Sequence, residues 1–331
     1  KKLKIRAEEL RKMSYQYKRN FGKAERDQRR ALMQEVKRIR KEIKDVREYS
    51  AHKCFENANV VLGTPIGILN ALQKDAKFDA LVIDEAGQSI EPLAWVVFPF
   101  AEKWILAGDP FQLPPTVLSE EASKKGFDVS ILEHCFKHCQ NIYFLDTQYR
   151  MRASIAGFSN ERFYEGRLKT PERLANTTSH VLFYDTAGTG FEEKAGEDGR
   201  SLTNEGELEI IQKIIAAKGW KDEEVGVISP YSGQVQLAKS LLAKSIKVST
   251  IDSFQGQEMP VIVVSLVRSN EEGNIGFLKD YRRMNVALTR AQEQLIVVGD
   301  SSTIGLDKFY DKFLKYLETI EGYQSAWEFM V

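Results

Sequence analysis

The sequence predicts an α/β protein with largely parallel sheets, led by a basic helical segment. Beyond residue 53, short apolar runs alternate with helical stretches, the pattern of parallel strands joined by crossover helices. Several runs, Val261–Leu266 among them, are nearly continuous in Val, Ile and Leu, as expected of strands covered on both faces. Before residue 53 the texture differs. From Leu3 to Val46 there is no proline and one glycine, Gly22, while Leu32, Val36, Ile39, Ile43 and Val46 recur three or four positions apart.

The leading segment reads as one long helix, or two joined near Gly22, with its apolar stripe leaning on something else. Residues 1–50 carry 18 Lys or Arg and 8 Asp or Glu, although the 331-residue chain has 47 of each and no net charge. Neutrality therefore does not argue against nucleic acid, because the basic segment makes a local phosphate-attracting field. A solvated surface helix is the simpler use of such a charge run. The strands expected after it are Asn59–Leu62, Ala80–Ile83, Trp104–Leu106, Ile142–Leu145, Val181–Tyr184, Val225–Ile228, Lys247–Thr250, Val261–Leu266 and Leu295–Val298. Residues Thr186–Arg200, rich in Gly and Glu, are expected to form a mobile, exposed loop.

With 43% hydrophobic and 28% charged residues, the composition excludes disordered, collagen-like and disulfide-scaffold classes. No apolar stretch approaches the roughly 18 residues of a membrane helix, so no membrane partner is expected. Three cysteines, Cys54, Cys135 and Cys139, form no framework and suit the cytoplasm or another reducing intracellular compartment. His134, Cys135, His138 and Cys139 suggest a metal cluster, but on a helix they lack the knuckle turn of usual zinc sites, and a helix end is the simpler reading. Asn204 and Glu207, three apart before an apolar run, read as a capping box opening a helix over Glu207–Ala217.

The chemistry begins where the strand Leu81-Val82-Ile83 runs into Asp84-Glu85-Ala86-Gly87-Gln88. Adjacent carboxylates at the carboxyl end of a parallel strand sit where α/β sheets bind ligands. Asp84 can hold Mg²⁺ on a nucleotide's phosphates, and Glu85 can orient or deprotonate a water. A second strand then leads into Gly108-Asp109-Pro110-Phe111-Gln112-Leu113-Pro114-Pro115, where Gln112 offers an amide that can reach a phosphate. Further strings follow: Gln148-Tyr149-Arg150-Met151, then Ser229-Pro230-Tyr231 with Gln234. After these come Thr250-Ile251-Asp252-Ser253-Phe254-Gln255-Gly256-Gln257-Glu258 and Asn285-Val286-Ala287-Leu288-Thr289-Arg290-Ala291. Taken singly, Tyr149 reads equally as core packing, and Arg150 or Arg290 as a surface ion-pair partner.

In this order the strings resemble the helicases of superfamily 1, in the branch that holds the nonsense-mediated-decay helicase, senataxin and the immunoglobulin-mu-binding helicase. The Asp-Glu-Ala-Gly-Gln string is similar to motif II and the Gly108–Pro115 string to motif III. Gln148–Met151, Thr250–Glu258 and Asn285–Ala291 are similar to motifs IV, V and VI, and the basic helix is similar to that branch's stalk.

The resemblance implies two RecA-like parallel-sheet domains with ATP and Mg²⁺ between them. Residues 1–52 would be the stalk, 53–147 an incomplete first domain, and 148–331 the second. Asp84 (holding Mg²⁺), Glu85, Gln112, Arg150 and Arg290 would be catalytic, the arginines acting as fingers. Tyr149 would stack on adenine, with Glu258, Gly256 and Asp109 also at the nucleotide. Thr64, Pro65, Pro114, Pro115, Ser229, Tyr231, Thr250 and Ser253 would line the single-stranded DNA or RNA, and the chain would act as a monomer moving 5′ to 3′. No Gly-x-x-x-x-Gly-Lys-[Ser/Thr] phosphate loop occurs in the sequence. In this family that loop precedes the stalk, so the chain is expected to be a truncated helicase that hydrolyses ATP poorly by itself. The alternative is a non-catalytic nucleic-acid-binding remnant.

Overall fold

The computed structural model describes residues 2–16, 22–73, 75–175, 180–196, 199 and 201–330. They fall into two compact units, 1–83 with 92–105, and 84–91 with 106–331.

In the first unit the basic segment is two helices, α1 (Lys2–Ser14) and α2 (Lys23–Glu56). Gly22 opens α2, its N–H donating to the Glu25 carboxylate at 3.1 Å. The helices run antiparallel: Ser14 meets Met33 at 3.4 Å and the Arg29 guanidinium covers the Tyr15 ring. Ala7 and Leu10 of α1 bury against Val36 and Ile39, flanked by Leu3, Leu32 and Ile43. The apolar stripe thus finds its partner within the same segment. It ends at Ile43, because Val46 is exposed.

A short helix, α3 (Pro65–Ala71), and a two-stranded sheet, β1 (Phe78–Ile83) with β2 (Ala101–Leu106), follow. Burial on both faces was expected here, yet Val82, Trp104 and Ile105 are exposed. Each strand has a single neighbour in this sheet, and an apolar run is covered only where further layers exist. The run Asn59–Leu62 forms no strand; Val60 and Leu62 are exposed and make no ladder among the described residues. A strand needs a hydrogen-bonding neighbour, which local sequence does not reveal.

The second unit is built on a six-stranded, all-parallel sheet. Its strands are β3 (Val181–Asp185), β6 (Val225–Ser229), β7 (Lys247–Thr250), β8 (Met259–Ser265), β9 (Ala291–Gly299) and β10 (Tyr323–Ser325), in the order β10-β3-β9-β8-β6-β7. Alternation along the central strands builds two cores. Ile262, Val264, Leu295 and Val297 face one side, against Ile155 and Phe158 of α7 (Ala153–Phe163) and Phe309, Phe313 and Leu317 of α12 (Lys308–Thr319). Val261, Val263, Ile296 and Val298 face the other, against Leu208, Ile211 and Ile215 of α8 (Glu205–Lys218).

Ile142–Leu145 is not a strand; Tyr143 and Leu145 are almost fully exposed, and the nearest ladder is the single bridge Thr147–Lys169. Residues 197, 198 and 200 of the expected Thr186–Arg200 loop lie outside the described residues. The rest carries β4 (Lys194–Ala195), paired antiparallel with β5 (Leu202–Thr203). Glu193 of this segment lies 2.9 Å from the Nε of the buried Arg268.

Asn204 caps α8, its side chain accepting from the Glu207 N–H at 3.1 Å. The reciprocal half of a capping box is missing. The Asn204 N–H donates instead to Gln234, and the fully buried Glu207 carboxyl accepts from Val267 N at 2.9 Å and meets Ser265 Oγ at 2.5 Å. Burial pushes the Glu207 pKa up to about 8, aided by the Asp300 charge and opposed by the Ser265 and Val267 hydrogen bonds. The folded state therefore holds a proton that the unfolded chain releases above 4.5. Stability from this group is full below 4.5 and is lost as pH rises through about 8. Glu207→Gln removes the titration while keeping the hydrogen-bonding shape, so its unfolding midpoint should fall less between pH 5 and pH 8.5 than that of the wild type, as read by thermal melts.

Candidate active site and nucleic-acid face

Motifs II and III meet through their backbones. The Ala86 N–H donates to Ala107 O at 2.8 Å, and a Cβ on Gly108 would lie 3.0 Å from Gly87 N and 3.1 Å from Ala86 N. Glycine is therefore required at 108 for close approach, not for a left-handed turn. Glu85 itself is left-handed, with φ 51°, a conformation uncommon for a side-chain-bearing residue and concentrated at functional sites. Its carboxylate accepts from Gln88 Nε2 at 3.0 Å, while Asp84 Oδ1 accepts from the Glu85 N–H. Both acids are exposed.

The arginines are held from behind. The Gln148 carbonyl oxygen accepts from the N–H groups of Arg150 and Met151, and its amide donates to Met151 O and Thr170 Oγ1. Arg150 donates through Nε to Glu258 and through Nη1 to Thr289 O; Gln292 donates to the other Glu258 oxygen at 2.8 Å. Burial alone would raise the Glu258 pKa, but hydrogen bonds from Arg150 and Gln292 and the charges of Arg150 and Arg290 outweigh it, leaving it below the ordinary carboxylate value.

Arg290 is 2% exposed. Its Nε donates to Val286 O at 3.0 Å, and Nη2 reaches Thr289 Oγ1 at 3.2 Å and Gln112 Oε1 at 3.4 Å. Burial lowers its pKa to about 10; the Arg150 charge adds to the depression, and Glu85 and Glu258 oppose it. Motifs II, III, IV, V and VI thus bring Glu85, Gln112, Arg150, Glu258 and Arg290 into one electrostatic cluster. Tyr149 is exposed at its margin, its carbonyl accepting from Arg173.

The sheet sends the two sets of residues to opposite ends. Glu258 and Arg290 immediately precede the paired first residues of β8 and β9, Met259 and Ala291. Ser229 and Thr250 close β6 and β7 at their carboxyl ends, paired with each other. There Thr250 Oγ1 donates to Ser253 Oγ at 3.0 Å, and Ser253 is exposed. Ser229, Tyr231 and Pro115 are buried, and Pro114 is half-buried, so these four present little or no surface to a strand. The Tyr231 ring instead supports the exposed Phe277, centroids 5.6 Å apart. In the first unit Thr64 caps α3 by accepting from Gly67 N, with Pro65 at the first helical position. On α6 (Ile131–His138), His134 pairs with Glu91 at 3.5 Å, and burial, with Cys139 beside it, raises the Cys135 thiol pKa.

The comparisons with known proteins decide the family. Two models described as AAA domains match the chain, one over residues 127–302 and one over residues 1–120. The chain is 33% identical over 341 residues to the DNA-binding protein SMUBP-2 of Rattus norvegicus, covering 94% of itself and 34% of that protein. It is 34% identical over 335 residues to the DNA polymerase alpha-associated DNA helicase A of Saccharomyces cerevisiae, covering 87% of itself and 49% of that protein. The chain belongs to superfamily 1 of the helicases. It falls in the branch of these relatives, which includes the Drosophila melanogaster homolog of regulator of nonsense transcripts 1, 33% identical over 301 residues, 83% of this chain and 25% of that one. The chain thus spans a quarter to a half of the length of these relatives.

Several residues of this cluster carry no role in the sequence reading: Gln148, Asn285 and Thr289 lie inside the strings quoted above, while Gln292 and Tyr164 lie in none. Gly108→Ala should cost about 1–3 kcal/mol, because the added methyl meets two backbone nitrogens, of Gly87 and Ala86, as well as Leu132 Cδ2. Urea unfolding would show it as a lower midpoint at unchanged slope.

Proposed function

We propose that the chain is the motor portion of an ATP-dependent helicase that translocates as a monomer on single-stranded DNA or RNA and unwinds duplexes. Residues 53–147 would contribute the acidic half of the ATP site from a first RecA-like domain. Residues 148–331 would contribute the arginine half from a second, and residues 1–52 a stalk. The observation that supports this reading most strongly is the arginine pair. Arg290, buried and depressed to about 10 by burial and by Arg150 beside it, has only uncharged oxygens on its own donors and is suited to an incoming anion.

The residues fit Mg·ATP. Asp84 would hold Mg²⁺, which supplies charge neutralisation at the β- and γ-phosphates, and Tyr149 offers an exposed ring to the base. Glu85, steadied by Gln88, would orient the attacking water and take its proton. Arg150 and Arg290 would neutralise the charge that builds on the transferred phosphoryl group, and Gln112 would report its presence to Arg290. Gly256, exposed with φ 75°, and Asp109 would shape the surrounding loops. Thr64, Thr250 and Ser253 would contact phosphates without reading bases.

A non-catalytic nucleic-acid-binding scaffold is the second reading. One observation favours it: residues 1–331 contain no phosphate-loop string to cradle the β- and γ-phosphates. For the same reason we propose that residues 1–331 alone hydrolyse ATP poorly.

Steady-state ATP hydrolysis with and without single-stranded DNA or RNA separates the two. In any longer chain that joins residues 1–331 to a phosphate loop, Arg290→Ala should lower a strand-stimulated kcat by about 10³–10⁵, and residues 1–331 alone should show little turnover. No strand-stimulated turnover in such a chain would select the scaffold. A rate from residues 1–331 matching that of such a chain would contradict their inactivity.

A further inference from the structure

Tyr164 lies outside every helicase string, at the end of α7, yet its hydroxyl sits at the junction of two of them. It donates to Asp109 Oδ2 at 2.5 Å and accepts from Asn285 Nδ2 at 3.0 Å. Asp109 engages both oxygens: Oδ1 accepts from the Phe111 N–H at 2.9 Å, and Oδ2 also accepts from Gln112 Nε2 at 3.0 Å. With its amide nitrogen held by Asp109, Gln112 turns its oxygen toward Arg290 Nη2. Asn285, fully buried, closes the circuit by donating to Phe111 O at 2.9 Å. The chain of contacts runs Asn285, Tyr164, Asp109, Gln112, Arg290, and it begins and ends on the same segment, because Arg290 follows the helix α10 (Tyr281–Leu288) that carries Asn285.

We propose that Tyr164 is a positioning residue of the ATPase site, acting through Asp109 to fix the amide orientation of Gln112 and so the approach of Gln112 to Arg290. The inference rests on the nucleotide site proposed above. The orientation is not self-maintaining. Gln112 has two chemically different ends, and a flip would set its NH₂ against the Arg290 guanidinium, donor against donor. Asp109, an acceptor-only carboxylate, forbids the flip as long as it stays in place. Tyr164 is well suited to hold it there. Its hydroxyl stays protonated and donating, because burial and Asp109 raise its pKa more than its hydrogen bonds with Asn285 and Gln112 lower it. Its ring is fixed independently by edge-on contact with Phe111, centroids 5.7 Å apart, and by Phe144 and Phe163.

Tyr164→Phe keeps those ring contacts and deletes the hydrogen-bond junction. Two readouts test the proposal separately from the site reading. In uniformly ¹⁵N-labelled residues 1–331, the Gln112 side-chain amide should show slow hydrogen exchange, which Tyr164→Phe should accelerate several-fold while thermal melts show the variant folded; unchanged exchange would overturn the proposal. Wherever ATP hydrolysis is measurable, in residues 1–331 or in a longer chain that joins them to a phosphate loop, Tyr164→Phe should lower kcat about 10- to 100-fold with little change in KM, as expected when a catalytic group is misplaced. The same substitution in a Gln112→Ala background should have no further effect. Multiplying effects would mean that Tyr164 does not act through Gln112 and would overturn the proposal. If neither shows hydrolysis, the nucleotide-site reading fails and the exchange measurement alone decides whether Tyr164 fixes Gln112. Should Tyr164→Phe unfold, Asp109→Asn, which turns one of the two acceptor oxygens into an NH₂ donor and so breaks part of the Tyr164–Asp109–Gln112 junction, is expected to give the same exchange and kcat changes.

Discussion

A buried arginine beside a second arginine is the constraint on which the site is built. Taking a guanidinium out of water costs several kcal/mol unless its donors and charge are met. The donors of Arg290 are met by oxygens from Val286, Thr289, Gln257 and Gln112, all uncharged. Burial disfavours its charge most and Arg150 adds to that, while Glu85, Tyr164 and Glu258 act the other way. A polyanion entering this cluster would relieve a repulsion already present, whereas a neutral ligand would not. The polarity of the site follows from this imbalance.

The sheet makes the imbalance durable. Arg290 leads directly into β9, a central strand with parallel neighbours on both sides and apolar cores on both faces, and its carbonyl accepts from Met259 N at 3.1 Å. Glu258 leads into β8 in the paired register, so the two charged residues keep their spacing as long as the ladder holds. The hydroxyl-bearing residues at the carboxyl ends of β6 and β7 belong to the same rigid sheet. One parallel sheet therefore carries the Glu258 and Arg290 cluster at one end and the hydroxyls of Ser229 and Thr250 at the other.

Much of this was legible in the residues because strand registers repeat what local pattern shows. The runs forming β6, β8 and β9 are largely apolar on both faces, and each was placed within a few residues, as was the more polar edge strand β7. Asn59–Leu62 and Ile142–Leu145 have the same local texture, yet their apolar side chains stand exposed and unladdered among the described residues. Pairing is a property of neighbours, not of the run itself. β10 escaped notice because Tyr-Gln-Ser carries no apolar signal and holds its place at an edge by ladder bonds to β3. At the site, residues were legible where they share a contiguous string. Tyr164 was not, since its partners Asp109 and Asn285 are 55 and 121 positions away. Ser229 and Tyr231 were assigned to an open surface that their burial does not provide, because a string shows which residues are grouped but not which of them face outward.

The central claim, that Arg290 is held in a buried, like-charged setting awaiting a polyanion, is tested most directly by its own titration. Carbon-13 and nitrogen-15 NMR of the Arg290 guanidinium across alkaline pH would read its pKa in the folded protein. The account predicts a value of about 10 in the free protein, moving upward toward the ordinary arginine value when inorganic triphosphate binds. A free-protein value at or above that ordinary value, unmoved by triphosphate, would contradict it.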